Sequence, residues 1–348
     1  MAVSVCCLAA VGDRCRYTAP PASRYGSSME NTTRLLQRHD EVLAVSHVLL
    51  AEADDPALPS LPARSLMLCS DDSSLPGRQS HWLPEVPANT DLIVVVLPKS
   101  RERLRLVLAS LAGQIEQPIR IWLAGPATGG IKGGATDLAD YADAVALEDS
   151  ARHCKLYSGR LRPAPFSLAQ HTRQWQHDGI QVVSYPGVFS HGRLDDGSAL
   201  LLESLAALPL SGSVLDIGCG AGILSAVLAR AGLQVMAVDV SATAVAATTA
   251  TLQANQLNGE VQCSDLYSAV TGRFDLIVSN PPFHDGLQRT TAISERLIRE
   301  APRYLGDNGR LLLVANQGLP YGDWLKQAFR QVEVLVENRR FRVWQARR

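Results

Sequence analysis

Val214-Leu215-Asp216-Ile217-Gly218-Cys219-Gly220-Ala221-Gly222 reads as a short buried strand that runs into a glycine loop. Its nearest rival pattern, the dinucleotide fingerprint G-x-G-x-x-G, needs a third glycine at position 223, which is Ile. Here Gly218, Gly220 and Gly222 fall on every second position, with Asp216 two residues ahead. Glycines let a backbone approach a ligand closely. Asp216 adds a carboxylate where a cationic amino group would sit, a poor neighbour for a pyrophosphate. A tightly packed βα turn would explain the glycines, but it would not explain the acids that follow in order.

Residues 223–230 then read as a helix ended by Gly232, and residues 234–238 as a second strand with Asp239 at its carboxyl end. Ser241 is a suitable N-cap for a helix through Ala254. Residues 260–264 lead to Asp265, and residues 274–279 deliver Asn280-Pro281-Pro282-Phe283. A helix over about 293–305, bent at Pro302, precedes a strand at 310–315, and strands at 332–336 and 341–346 close the sheet as an antiparallel pair. Ligands of open α/β sheets bind beyond the carboxyl ends of the strands, where the glycine loop, Asp239, Asp265 and Asn280 all fall.

The residues in this order suit S-adenosylmethionine. Asp216, Gly218, Gly220 and Gly222 would hold its methionine end and Asp239 would accept hydrogen bonds from ribose hydroxyls, with Asp265 and Asn280 as further cofactor-binding candidates at the neighbouring strand ends. An exocyclic amine on a base is a weak nucleophile, because its lone pair is delocalised into the ring. The Asn280 side-chain oxygen and the Pro281 carbonyl can each accept one N–H and favour a pyramidal nitrogen. Two prolines stiffen the turn, and Phe283 can stack on the base. A proline turn with Phe283 in the core is the bland alternative. His284 can contact substrate or merely be solvated. Cys219 and Cys263 fall in a loop and a strand where small thiols pack, which argues against thiolate chemistry on a pyrimidine.

The first half repeats the pattern without the chemistry. Asp91-Leu92-Ile93-Val94-Val95-Val96-Leu97-Pro98 parallels Asp275 to Pro282, a helix follows over 101–111, and residues 119–125 parallel the strand that begins near Gly309. The expected fold class is therefore α/β, with two tandem Rossmann-like class I methyltransferase domains from a duplication. The first copy has no glycine loop, and Leu97 stands near the place of Asn280. We expect residues 1–28 to be an extension upstream of a start at Met29, residues 29–165 to be the degenerate domain and residues 166–348 the catalytic one. Asn31 or Thr32 would cap the first helix.

Composition narrows the partners. The 348 residues carry a net charge of −1, so no global basic field advertises nucleic acid. Residues 171–348 hold sixteen basic and sixteen acidic side chains, so any RNA contact must be local. Arg101, Arg103 and Arg105 beside Lys99, the turn Asn338-Arg339-Arg340-Phe341-Arg342, and a flexible loop at 129–134 are candidates, each by default only a solvated surface. The apolar run at 2–12 is too short to span a bilayer. Seven scattered cysteines fit a reducing cytoplasm, and neither they nor the eight histidines have metal-ligand spacing.

Residues 29–348 resemble the bacterial small-subunit ribosomal RNA methyltransferase C family. The likeness rests on Tyr185-Pro186-Gly187-Val188-Phe189-Ser190 with Leu194-Asp195 and Gly197-Ser198, on Asn280-Pro281-Pro282-Phe283-His284-Asp285-Gly286, and on Phe341-Arg342-Val343-Trp344. In the first half it includes Pro98-Lys99 and Leu156-Tyr157-Ser158-Gly159-Arg160-Leu161. The resemblance implies methylation of a guanine N2 in 16S rRNA from S-adenosylmethionine and an inactive first copy; a monomer is a separate expectation. It also implies that Phe189, Asp195 and Ser198 help wall the cofactor and base pocket, alongside the turn residues Pro282, Phe283 and His284, and that Asp265 lies near the adenine. The residues alone leave open adenine N6, a protein glutamine amide, or a non-catalytic RNA-binding assembly factor.

Overall fold

The computed structural model of the chain describes residues 30–281 and 287–348. The expected extension at 1–28 and the start at Met29 lie outside the described residues, as do Pro282, Phe283 and His284.

Two seven-stranded mixed sheets carry the chain. The first is built from β1 (His47–Ala51), β2 (Ser65–Ser70), β3 (Gln79–Ser80), β4 (Leu92–Val96), β5 (Ile119–Pro126), β6 (Ala142–Ala151) and β7 (Cys154–Leu161), in the order β3-β2-β1-β4-β5-β7-β6. A small antiparallel hairpin, β8 (Arg173–His177) and β9 (Ile180–Ser184), links it to the second sheet. The second comprises β10 (Ser213–Ile217), β11 (Gln234–Asp239), β12 (Glu260–Cys263), β13 (Phe274–Ser279), β14 (Leu305–Asn316), β15 (Gln331–Glu337) and β16 (Phe341–Arg347), in the order β12-β11-β10-β13-β14-β16-β15. The orders are identical position for position, which establishes the two Rossmann-like copies. Six strands of each sheet run in one direction, and the one next to last in the order, β7 or β16, runs against its two neighbours. In both copies the strand order reverses beside the first strand, β1 against β4 and β10 against β13, and that opens the crevice where such sheets bind ligands.

Buried apolar residues on both faces explain the continuous hydrophobic runs of the central strands. Helices α1 (Asn31–Leu36) and α2 (Asp40–Ala44) cover one face of the first sheet, while α3 (Arg101–Ala112) and α4 (Ile131–Ala139) cover the other. In the second copy α5 (Asp196–Ala206), α6 (Ile223–Arg230) and α7 (Ala242–Ala254) pack on the face of Val214 and Leu276. Leu215, Ile217 and Ile277 face α8 (Leu287–Glu300) and α9 (Tyr321–Ala328). Between β1 and β2 the first copy has only a single 3-10 turn, Leu58–Ser60, and no counterpart of α6 or α7.

Several sequence expectations shift. Glu30, not Asn31 or Thr32, precedes α1, and Thr33 turns its hydroxyl to Asp55. The helix expected over 293–305 starts at Leu287 and ends at Glu300, because Pro302 lacks the N–H to continue it and sits in the 3-10 turn Ala301–Arg303. The glycine loop at 129–134 is largely the first turn of α4, entered through Gly130 at φ +90°. The hairpins β6-β7 and β8-β9 had no clear signal in the sequence, since their strands are short of regular alternation.

Candidate active site

Glycine is required at 218, 220 and 222 for two reasons. All three have positive φ, at +76°, +57° and +81°. A Cβ on Gly218 or Gly220 would meet nothing within 4 Å, so these two leave open space above the backbone. A Cβ on Gly222 would lie 2.9 Å from the Thr248 Cα, so this glycine lets α6 and α7 approach. The loop is tied down from below: the Gly218 and Cys219 amides donate to the Val238 carbonyl at 2.8 and 3.1 Å. From the side, Thr248 Oγ1 donates to the Gly220 carbonyl at 3.1 Å and Thr251 Oγ1 to that of Ala221 at 2.7 Å.

Asp216, the penultimate residue of β10, has a fully buried carboxyl. Its Oδ2 accepts a 2.6 Å hydrogen bond from Ser225 Oγ, and its Oδ1 has no partner among the described residues. Burial raises this acid to about 7, against the pull of Ser225 and helped by Asp239. Asp239, at the end of β11, receives the Gly220 amide on Oδ2 at 3.1 Å and the Ser241 amide on Oδ1 at 2.9 Å. Burial lifts it to about 6. An unpartnered buried acceptor, an open glycine cradle and a second acid on the adjacent strand fit a ligand with a cationic amine and vicinal hydroxyls. Asp265 is gripped by Arg296 of α8, at 3.0 Å, so its carboxylate is already partnered.

Asn280 follows β13 directly across the switch point. Its Nδ2 donates to Asp195 Oδ2 at 2.9 Å and to Ser198 Oγ at 2.8 Å. Asp195 caps α5, accepting the Gly197 and Ser198 amides at 2.9 and 3.1 Å. An ionised carboxylate only accepts, so it fixes which end of the amide faces it. The Asn280 Oδ1 is left buried with no partner among the described residues. Resemblance placed Asp195 and Ser198 as pocket wall, and the structure makes them the holders of the Asn280 amide. Phe189 is 49% exposed on the loop ahead of α5. Ser279 Oγ closes the crevice floor, donating to the Ile217 carbonyl at 2.8 Å.

Sequence reasoning missed Ser225, Thr248 and Thr251. The two threonines stand three apart in a helix that follows an acid-ended strand, a spacing that puts both on one face. Ser225 gives no such signal. The Cys219 thiol is buried and burial pushes it well above its usual range, in keeping with packing rather than reactivity. Of the candidate basic patch at 101–105, Arg103 is buried against Glu52, while Arg101 and Arg105 stay half exposed and both pair with Asp137.

Fold and site define a duplicated methyltransferase. Residues 33–175 match the family described as Methyltransferase small domain N-terminal, and residues 179–345 match Methyltransferase small domain. The chain belongs to the ribosomal RNA small subunit methyltransferase C family. The family member of Alcanivorax borkumensis is 50% identical over 325 residues, covering 91% of this chain and 99% of that one. The Yersinia pestis member is 37% identical over 341 residues, with 92% and 96% covered. Among solved structures, the T. thermophilus 16S rRNA N2 G1207 methyltransferase, in complex with AdoMet and guanosine, superposes with a TM-score of 0.79. It is 25% identical, with 93% of each chain covered.

Proposed function

We infer that this chain transfers a methyl group from S-adenosylmethionine to the exocyclic N2 of one guanine in 16S rRNA. The observation that carries the reading is the Asn280 amide, held by Asp195 and Ser198 so that its buried Oδ1 is free to accept an N–H. The relatives' names and the guanosine complex of the T. thermophilus enzyme support guanine over adenine or a protein amide.

Asp216, Gly218, Gly220 and Gly222 hold the methionine end of the cofactor, Asp239 its ribose hydroxyls, and Asp265 borders the adenine. When bound, the cofactor supplies an electrophilic methyl on sulfonium. Asn280 Oδ1 and the Pro281 carbonyl accept the two N–H bonds of the guanine amine, pyramidalise it and aim its lone pair. The new C–N bond forms as the C–S bond breaks, sulfur keeps that electron pair, and the cationic nitrogen then sheds a proton to solvent. No strong base is needed before transfer. Phe283 stacks on the base, and Phe189, Pro282 and His284 complete the wall. Residues 29–165 position RNA and stabilise residues 166–348, and the chain acts as a cytoplasmic monomer on the small subunit or an assembly intermediate. Among the described residues no helix is long and apolar enough to cross a membrane.

The test is mass-spectrometric mapping of modified nucleosides in 16S rRNA from cells lacking the gene, with wild type or Asn280→Ala restored. Loss of one N2-methylguanine, rescued by wild type alone, is expected. An unchanged guanine profile would overturn the reading.

A further inference from the structure

The seam between the two copies falls on the cofactor side of the second one. Asp71, just beyond β2 of the first copy, reaches the entrance of α7. Its Oδ1 accepts the Thr243 amide at 2.7 Å and the Thr243 hydroxyl at 2.6 Å, and its Oδ2 accepts Ser241 Oγ at 2.6 Å. Its carbonyl accepts the Ala242 amide at 2.8 Å, and the Ser73 amide donates to the Val240 carbonyl at 2.8 Å. Arg103, buried and paired with Glu52, donates from Nη1 to the Thr243 hydroxyl at 3.0 Å. Every residue from Val240 to Thr243 is thereby fastened to the first copy.

That segment is the hinge of the cofactor site. Ser241 gives its amide to Asp239, and Asp239 in turn receives the Gly220 amide. Further along α7, Thr248 and Thr251 grip the glycine-loop carbonyls of Gly220 and Ala221. A shift of the α7 entrance therefore moves both the acid and the glycine loop. An internal carboxylate at a helix N-terminus also stabilises that end electrostatically.

We propose that Asp71 of the degenerate copy is a positioning residue for the cofactor: it braces the α7 entrance so that Asp239 and the glycine loop are preorganised for the ribose and methionine ends. This rests on the S-adenosylmethionine reading above. The first copy thus sets cofactor affinity in the second, and by reciprocity bound cofactor tightens the seam.

The experiment is calorimetric titration of the full-length protein with S-adenosylmethionine and S-adenosylhomocysteine, alongside single-turnover rates at saturating cofactor. Asp71→Ala is expected to raise Kd roughly tenfold or more, and Asp71→Asn, which keeps one acceptor, to fall between it and wild type. The rate at saturation stays near wild type in both. Arg173→Gln removes an exposed ion pair to Glu102 and leaves Kd unchanged. In wild type, amide exchange at 71–73 and 240–243 slows on adding cofactor. Unchanged Kd in both Asp71 variants, or an equal rise in Arg173→Gln, overturns the proposal in favour of simple docking. If Asp71→Ala fails to fold, Asp71→Asn and the wild-type exchange data decide. A wild-type chain that binds neither nucleoside overturns the function reading and this one with it.

Discussion

Two copies of one fold lie in this chain, and registering them strand by strand shows how a site is lost. Val48 stands beside Leu92 as Val214 stands beside Leu276, so Leu50 occupies the place of Asp216 and Val96 that of Asn280. Leu97, which the sequence placed near the position of Asn280, is the next residue along. Ser70 replaces Asp239, by the same register on the outer strand. Glu52 takes the position of Gly218 and keeps a left-handed φ of +57°. The first copy retains the turn but fills it with a side chain, and Glu52 pairs with Arg103 at 2.8 Å where a ligand would approach. Uncharged residues, Leu50 and Ser70, stand in place of the two acids, and an ionisable group without a partner is costly to bury.

The comparison can be broken at several points. Arg103→Ala leaves Glu52 buried without its cation and should cost about 3–5 kcal/mol. Urea unfolding checks it, and Glu52→Gln/Arg103→Met should recover most of the loss. Asn280→Ala in the working copy should lower kcat by about 10²–10³-fold, the range for losing one preorganised polar contact to the reacting group. Cofactor affinity should hold, so single-turnover rates and titration together separate chemistry from binding. Asp195→Ala frees the amide to turn and should cost roughly tenfold in kcat, besides about 1 kcal/mol for the lost α5 cap. Unaltered kcat would mean the amide is held by Ser198 alone.

A smaller effect is the pH dependence. Asp216 sits near 7 and Asp239 near 6 because both are buried. Acids raised in the folded state stabilise the free chain fully below the ordinary carboxylate range, and this contribution is lost as pH climbs through 6 to 7. A cationic amine needs Asp216 ionised, so cofactor affinity should instead rise severalfold from pH 6 to 7.5. Asp216→Asn should weaken binding and flatten that slope in titrations at several pH values. The smallest expected change is none: one equivalent of cofactor should bind per chain, and a stoichiometry of two would break the contrast between the copies.

Much of the second copy was legible because its chemistry and its periodicity coincide. Asp216, the glycines, Asp239 and Asn280 stand at strand ends that the hydrophobic pattern already marks. The duplication was legible for the same reason, since central strands of both copies are buried runs. The seam was not, because Asp71 and Thr243 are 172 positions apart and each reads as an ordinary helix or turn residue. Arg103 reads as surface charge beside Arg101 and Arg105, yet it is buried between Glu52 of its own copy and Thr243 of the second. The orienting role of Asp195 was equally hidden, since an N-cap and an amide clamp use the same carboxylate.

That carboxylate also limits what position 280 can become. Aspartate there would bring two acids to hydrogen-bond distance, and the pair would share one proton rather than both ionise. A carboxyl at 280 would therefore share its proton with Asp195 instead of ionising alone. An asparagine held from behind by a carboxylate suits nucleophiles that arrive uncharged and give up their proton only after the bond has formed.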